Sequence, residues 1–124
     1  SSDPKRRALA EQWMDWQATE FNNAWRYAFP ALASKNPAYN DENAIARGII
    51  EWNRCIEIVE QQLERTGAWA AGESFSLADI VLGLSVNRWK MTPLPHPEVP
   101  AIDAWFARLN HRPAFLRHGN NGMV

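Results

Sequence analysis

The stretch Gly72-Glu73-Ser74-Phe75-Ser76-Leu77-Ala78-Asp79-Ile80-Val81-Leu82-Gly83-Leu84-Ser85-Val86 decides the fold class. Ser76 stands where a helix N-cap belongs, with a hydroxyl able to accept from an amide of the first turn. Asp79, three residues on, is placed to accept from the Ser76 amide, which makes a capping box with Asp where Glu or Gln is more usual. Phe75 and Ile80 occupy the two positions of a hydrophobic staple. The Asp79 charge also favours the positive end of the helix dipole. From there to Val86 the run has no charged face. Such a run is compatible with a buried strand, but the cap and staple select a helix. A helix apolar all round is expected to be buried all round. Gly83 costs ~1 kcal/mol of helix propensity relative to Ala, so a neighbouring backbone is expected close to it. The reading is a central pillar with other helices around it.

The rest of the chain supplies those helices. Asp3 is a plausible N-cap and Pro4 a suitable first helical residue. Leu9, Trp13, Met14, Trp16, Phe21, Trp25 and Ala28 fall on more than one stripe at helical spacing, which predicts a first helix from Pro4 or Lys5 to Phe29, with Pro30 ending or kinking it. Ile45, Ile49, Trp52, Ile56, Val59 and Leu63 alternate by four and three, the cleanest amphipathic signal present, and predict a second helix from Asn40 or Asp41 to Thr66. Glu57, Glu60, Gln61, Glu64 and Arg65 are its expected wet face, and Gly67 its C′ residue. The central helix is expected to continue through Asn87-Arg88-Trp89 and stop before Thr92-Pro93. After a proline-rich loop, Ile102, Trp105, Phe106 and Leu109 predict one more buried helical face, with a last short turn at Ala114-Phe115-Leu116. No segment has strand alternation with hairpin signals. The expected fold is all-α.

Composition narrows the chemistry. The 124 residues carry a net charge of −1, so no strongly basic balance marks a nucleic-acid surface. The apolar runs fall short of the ~20 residues that span a bilayer, and no membrane association or signal peptide is expected. Cys55 is the single cysteine, which removes intrachain disulfides and Cys-based zinc sites; burial in the second helix suits it better than nucleophilic attack. His96, His111 and His118 lack a metal-ligand spacing. Seven tryptophans are many for this length and are expected in the core or lining a pocket.

Four pieces of the chain, in order, resemble one family. Glu73 to Ile80 is similar to the signature that opens the buried central helix in the C-terminal helical domain of glutathione transferases. Trp13-Met14-Asp15-Trp16-Gln17-Ala18-Thr19-Glu20-Phe21 resembles the first helix of that domain in bacterial members. Arg88-Trp89 resembles a pair found late in the central helix. Pro97 to Phe115, with Trp105, Leu109 and Arg112-Pro113-Ala114-Phe115, resembles the closing segment. The resemblance implies a glutathione-transferase C-terminal-domain-like helical bundle over 1–124, with a linker remnant at about 1–4 and a loose tail at about 119–124. In that family Ser76 and Asp79 serve capping, not catalysis.

The resemblance also implies a function for a larger parent protein. A complete glutathione transferase begins with a thioredoxin-like domain that holds glutathione and supplies the catalytic Ser, Tyr or Cys. Nothing here corresponds to that domain, so the chain resembles the C-terminal half alone, and no catalytic residue is assigned to it. The implied reaction is attack of the glutathione thiolate on a small hydrophobic electrophile, which depends on lowering the thiol pKa. The implied partners are the N-terminal thioredoxin-like domain of the same parent chain and a second copy in a homodimer. The implied location is the cytoplasm, with glutathione a co-substrate of the parent and no cofactor or metal bound by this domain alone. Thr19, Asn22, Asn23 and Arg26 share one helical face by spacing. That face reads either as an ordinary polar surface or as lining of the substrate pocket, where Arg26 is able to steer an anionic group. In beta-class members the two positions after Phe21 are often His-Lys. Asn22-Asn23 here donate hydrogen bonds but supply no acid, base or cation. Trp16 and Trp89 read as pocket walls or as core. Two other readings stand beside the enzyme: a non-catalytic interaction module of glutathione-transferase-like fold, and a stand-alone bundle that binds an apolar ligand between its helices.

Overall fold

A computed structural model describes residues 3–113 and Phe115. The opening Ser1-Ser2, the residues Ala114 and Leu116 of the expected last turn, His118 and the tail 119–124 lie outside them. Helix α1 spans Pro4–Trp16: the Asp3 carboxylate accepts from the Lys5 amide at 3.0 Å, and Pro4 takes a position that needs no donor. The expected continuation to Phe29 is interrupted. Gln17–Phe21 is a π-helical segment, α2 is a single turn at Asn22–Ala24, residues 25–27 turn, and α3 runs Ala28–Leu32. Pro30 supplies the reason. It has no N–H for the Arg26 carbonyl, and its ring crowds that carbonyl, so the helix breaks about one turn before the proline. Pro30 itself sits in the first turn of α3, where no intrahelical donor is required. Phe21 at the end of the π-segment, and Ala24 and Ala28 beyond it, are buried.

Helix α4 is the longest element, Glu42–Thr66. The Asp41 carboxylate accepts from the Asn43 and Ala44 amides, and Gly67 closes the helix with φ of 68°, a left-handed conformation that favours glycine. Trp52, Ile56, Val59 and Leu63 are buried, as their spacing predicts. The expected wet face needs one correction. Glu60 is only 7 % exposed and accepts from the Ala101 amide at 2.9 Å and the Ile102 amide at 2.8 Å. Those amides belong to the first turn of α6, Pro100–Leu109, whose N-cap residue Val99 has no side-chain oxygen. A carboxylate from another helix therefore does the capping.

Helix α5, Leu77–Met91, is the pillar, and three expectations about it change. First, Asp79 is fully buried and does more than cap. One oxygen accepts from the Ser76 amide at 2.9 Å; the other accepts from the Ala70 amide and the Trp105 indole N–H, both at 2.8 Å. The reciprocal bond is weak: the Ser76 hydroxyl faces the Asp79 amide but makes no hydrogen bond of ordinary geometry. Second, the neighbours of Gly83 are side chains. A Cβ there would run into the Phe115 ring and meet the Leu109 Cδ1 at 2.9 Å. Third, α5 is not covered all round, since Leu77 is 64 % exposed, Leu84 37 % and Met91 44 %. Among the described residues there is no β-strand, and the fold is all-α.

Candidate functional site

The residues expected along one polar face begin on the π-segment. The Thr19 hydroxyl donates back to the Asp15 carbonyl at 2.8 Å. Thr19, Asn23 and Arg26 are exposed and Asn22 half-buried. The π-segment shifts the helical register, and Arg26 lies beyond the end of α2 in the turn, so ideal α-helical spacing no longer describes the four. The backbone links neighbours among them, the Arg26 amide donating to the Asn23 carbonyl at 3.4 Å and the Asn22 amide to the Thr19 carbonyl, but among the described residues no side-chain hydrogen bond or ion pair joins any two of the four. The face is polar and largely exposed, with the Thr19 hydroxyl committed to the Asp15 carbonyl. Trp16 is half-buried beneath it, 5.4 Å from the Trp13 ring and 5.2 Å from Phe21. Trp89 lies in the core, 1 % exposed, with its indole N–H donating to the Asn53 side chain at 2.8 Å and its ring edge-on to His96.

A second constellation, absent from the sequence reading, stands just past Arg26. The Arg88 guanidinium lies 4.2 Å over the Trp25 ring and 5.3 Å from the Phe29 ring. Its Nε is buried without an acceptor, and so is the indole N–H of Trp25. Burial holds the Arg88 pKa below the usual guanidinium value, and among the described residues no carboxylate offsets that burial. The sequence signal was its position on the same stripe as Leu77, Leu84 and Met91, a pattern masked by reading the whole helix as enclosed.

Leu77, at the start of that stripe, lines a groove shared with α1. Leu9 of α1 is also exposed, at 37 %. Between the start of α1 and the loop before α5 lies a groove of about 590 Å³, lined by Arg6, Leu9, Met14, Phe75 and Leu77 among others. Gln17 donates to the Ser85 hydroxyl at 2.8 Å and holds α5 against the chain just beyond α1. None of Thr19, Asn22, Asn23 and Arg26 lines the groove.

The other shifted groups have structural causes. Arg54 pairs with Glu51 and Glu20 on the outside of the molecule; the Glu51 hydrogen bond is the main reason the Arg54 pKa is raised, and the same bond lowers that of Glu51. Burial pushes the Cys55 thiol up to about 11, the opposite of an activated nucleophile. Burial also raises the Asp79 pKa, against the pull of its three N–H donors. Among the described residues no group of His, Cys, Asp and Glu is placed to hold a metal ion, and no helix is long and apolar enough to cross a membrane.

Comparison with known proteins identifies the arrangement. The family model described as glutathione S-transferase, C-terminal domain, matches residues 21–113. The chain is 29 % identical over 111 residues to the glutathione S-transferase GstB of Escherichia coli (strain K12), covering 90 % of this chain and 53 % of that protein. It is 31 % identical over 104 residues to the cytoplasmic methionine–tRNA ligase of Homo sapiens, covering 82 % of this chain and 11 % of that one. A crystal structure of the theta class glutathione S-transferase from Xanthomonas axonopodis pv. citri with glutathione bound superposes with a TM-score of 0.86 at 30 % identity, over 96 % of this chain and 57 % of that one. The chain spans about half the length of GstB.

Proposed function

The chain belongs to the family of glutathione S-transferase C-terminal domains, and from that membership we propose that it is the electrophile-side half of a glutathione transferase that conjugates or reduces small electrophiles with glutathione. The observation that carries the reading is the uncovered apolar surface of α1 and α5, where Leu9, Leu77, Leu84 and Met91 stand in water. Contiguous exposed apolar side chains mark an interaction surface. A thioredoxin-like half of the same parent chain is the occupant proposed for it. That half would bring glutathione and the group that lowers its thiol pKa. Trp16, Thr19, Asn22, Asn23 and Arg26 would contribute one wall of the electrophile site, with Trp89 supporting it from the core. Asn22 and Asn23 orient substrate by hydrogen bonding and exchange no proton. On the outer face of α4, Ile50 is 70 % exposed beside the Arg54 ion pairs, a place for a second copy in a homodimer. The proposed location is the cytoplasm, where glutathione is abundant and Cys55 stays reduced.

The test compares the 124-residue chain with its full-length parent. Both are assayed for conjugation of 1-chloro-2,4-dinitrobenzene and for glutathione binding by calorimetry. The parent is expected to bind glutathione and turn over; the isolated chain is expected to do neither. Turnover by the isolated chain, or a parent that does not bind glutathione, refutes the reading. The similarity to a methionine–tRNA ligase favours a second reading, a non-catalytic helical docking module within a larger protein. The sequence contiguous with this chain separates the two: a synthetase segment selects docking, and a thioredoxin-like segment selects the enzyme.

A further inference from the structure

The exposed stripe of α5 is not apolar along its whole length. Leu77, Val81, Leu84, Arg88 and Met91 succeed one another at spacings of four, three, four and three, so they fall near a single line about 21 Å long. Arg88 interrupts that line with a charge. Its guanidinium is walled by Trp25 and Phe29. Its Nε and the adjacent Trp25 indole N–H are buried donors without acceptors. Arginine and indole groups donate only, so nothing within the cluster satisfies either. A half-buried cation packed over the Trp25 ring and near Phe29 is restrained in place. The Nε and the Trp25 N–H are closed off, so a body covering this face is expected to be apolar opposite Leu77, Leu84 and Met91 and to meet the charge of Arg88 at its outer guanidinium nitrogens.

We propose that the part of the parent protein seated on the Leu77–Met91 face presents an aspartate or glutamate carboxylate to Arg88, and that this pair fixes how the two halves are docked. The proposal rests on the reading that the chain is one half of a longer protein. Two observations choose the occupant. GstB is nearly twice as long as the region it shares with this chain, so a second body of similar size is available to cover the face. The face also presents a cation without a carboxylate among the described residues. A carboxylate accepts two parallel N–H bonds from a guanidinium and so defines register, which an apolar contact does not.

The experiment uses the full-length parent carrying Arg88→Met or Arg88→Lys, with limited proteolysis of the segment joining the halves as the readout. When reclosing outpaces cleavage, the rate reports the population of the undocked form. Arg88→Met is expected to raise that rate on the order of ten- to a hundredfold, as loss of a charged hydrogen-bonded pair does. Arg88→Lys, which keeps the charge without the fork, is expected to fall between. The far-ultraviolet circular dichroism of the full-length parent bearing Arg88→Met is expected to match wild type; if that variant fails to fold, the Arg88→Lys rate decides. Wild-type cleavage rates in the variants overturn the proposal. So does a result in which docking is unchanged and KM rises only for a carboxylate-bearing electrophile, because Arg88 would then read a small anion. If the wild-type parent fails to bind glutathione while Arg88→Met still loosens docking, the transferase reading falls and the carboxylate pairing stands.

Discussion

Replacing Asp79 by Ala should cost far more than replacing its capping partner Ser76. Asp79 satisfies three donors from separate parts of the chain: the Ala70 amide, the Ser76 amide and the Trp105 indole. Each buried donor left unpaired costs about 1–3 kcal/mol. Part of the sum is offset, because the variant no longer buries a carboxylate whose desolvation is unfavourable. Water entering the vacated site offsets more. The net loss is about 3–5 kcal/mol, against about 5–15 kcal/mol of total stability for a domain. The Ser76 hydroxyl makes no hydrogen bond of ordinary geometry, so Ser76→Ala should cost less than about 1 kcal/mol. Equilibrium urea unfolding, followed by fluorescence of the buried tryptophans, measures both. At about 1–3 kcal/mol per molar urea, Asp79→Ala moves the midpoint down by about 2 M, and Ser76→Ala by well under 1 M. The reasoning fails if Asp79→Ala stays within about 1 kcal/mol of wild type, or if the two variants lose equal stability. Equal loss would mean that the local cap, not the three-way tie, carries the contribution.

Glu60→Ala should cost about 2–4 kcal/mol by unpairing the first-turn amides of α6, while Glu57→Ala on the exposed side of the same helix should be near neutral in the same denaturation assay. Gly83→Ala adds up to ~1 kcal/mol of helix propensity but forces a methyl against the Phe115 ring and Leu109. Overpacking of about 1–3 kcal/mol should win, and a rise in melting temperature would show that the rings move aside freely. Cys55 ionises at about 11 in the folded chain and near 9.0 when unfolded. Its contribution to stability is therefore intact below pH 9 and lost as pH rises towards 11, by about 2 kcal/mol; Cys55→Ala should remove that part of the alkaline slope in urea titrations.

Helix type, order and most boundaries were legible because they are set by local chemistry. Asp3, Asp41 and Gly67 cap where sequence rules place them, and the four-three spacing of Trp52, Ile56, Val59 and Leu63 leaves one face to bury. What escaped depends on partners far along the chain. Glu60 lies on the polar side of α4 by composition, yet its carboxylate is needed by amides 41 and 42 positions away. The π-segment has no sequence signature of its own; Pro30 announces a break, not where the register shifts. At the candidate site, Thr19, Asn23 and Arg26 are exposed and Asn22 is half-buried, while the sequence marks Arg88 only through a resemblance to a family pair. Its enclosure depends on Trp25, in the turn after α2, and Phe29 of α3, both distant in sequence.

The buried acids and the uncovered stripe are two sides of one design. Asp79 draws the loop before α5 and the Trp105 ring of α6 onto the first turn of α5, and Glu60 binds α6 to α4. Gln17 donates to Ser85 farther along the same helix. Packing already resists rotation of α5 about its axis, since only Gly83 leaves room for the Phe115 ring and Leu109. Directional hydrogen bonds to buried carboxylates add to that resistance. The rotation they select sends Leu77, Leu84, Arg88 and Met91 outwards together. A surface built to dock against another body needs that fixed orientation before the partner arrives, since any ordering left to the moment of contact subtracts from affinity. Loosening Asp79 should therefore weaken docking as well as stability. In the parent protein, Asp79→Asn at a temperature where it remains folded should raise the proteolysis rate of the joining segment in the same direction as Arg88→Met, although residue 79 lies outside the stripe.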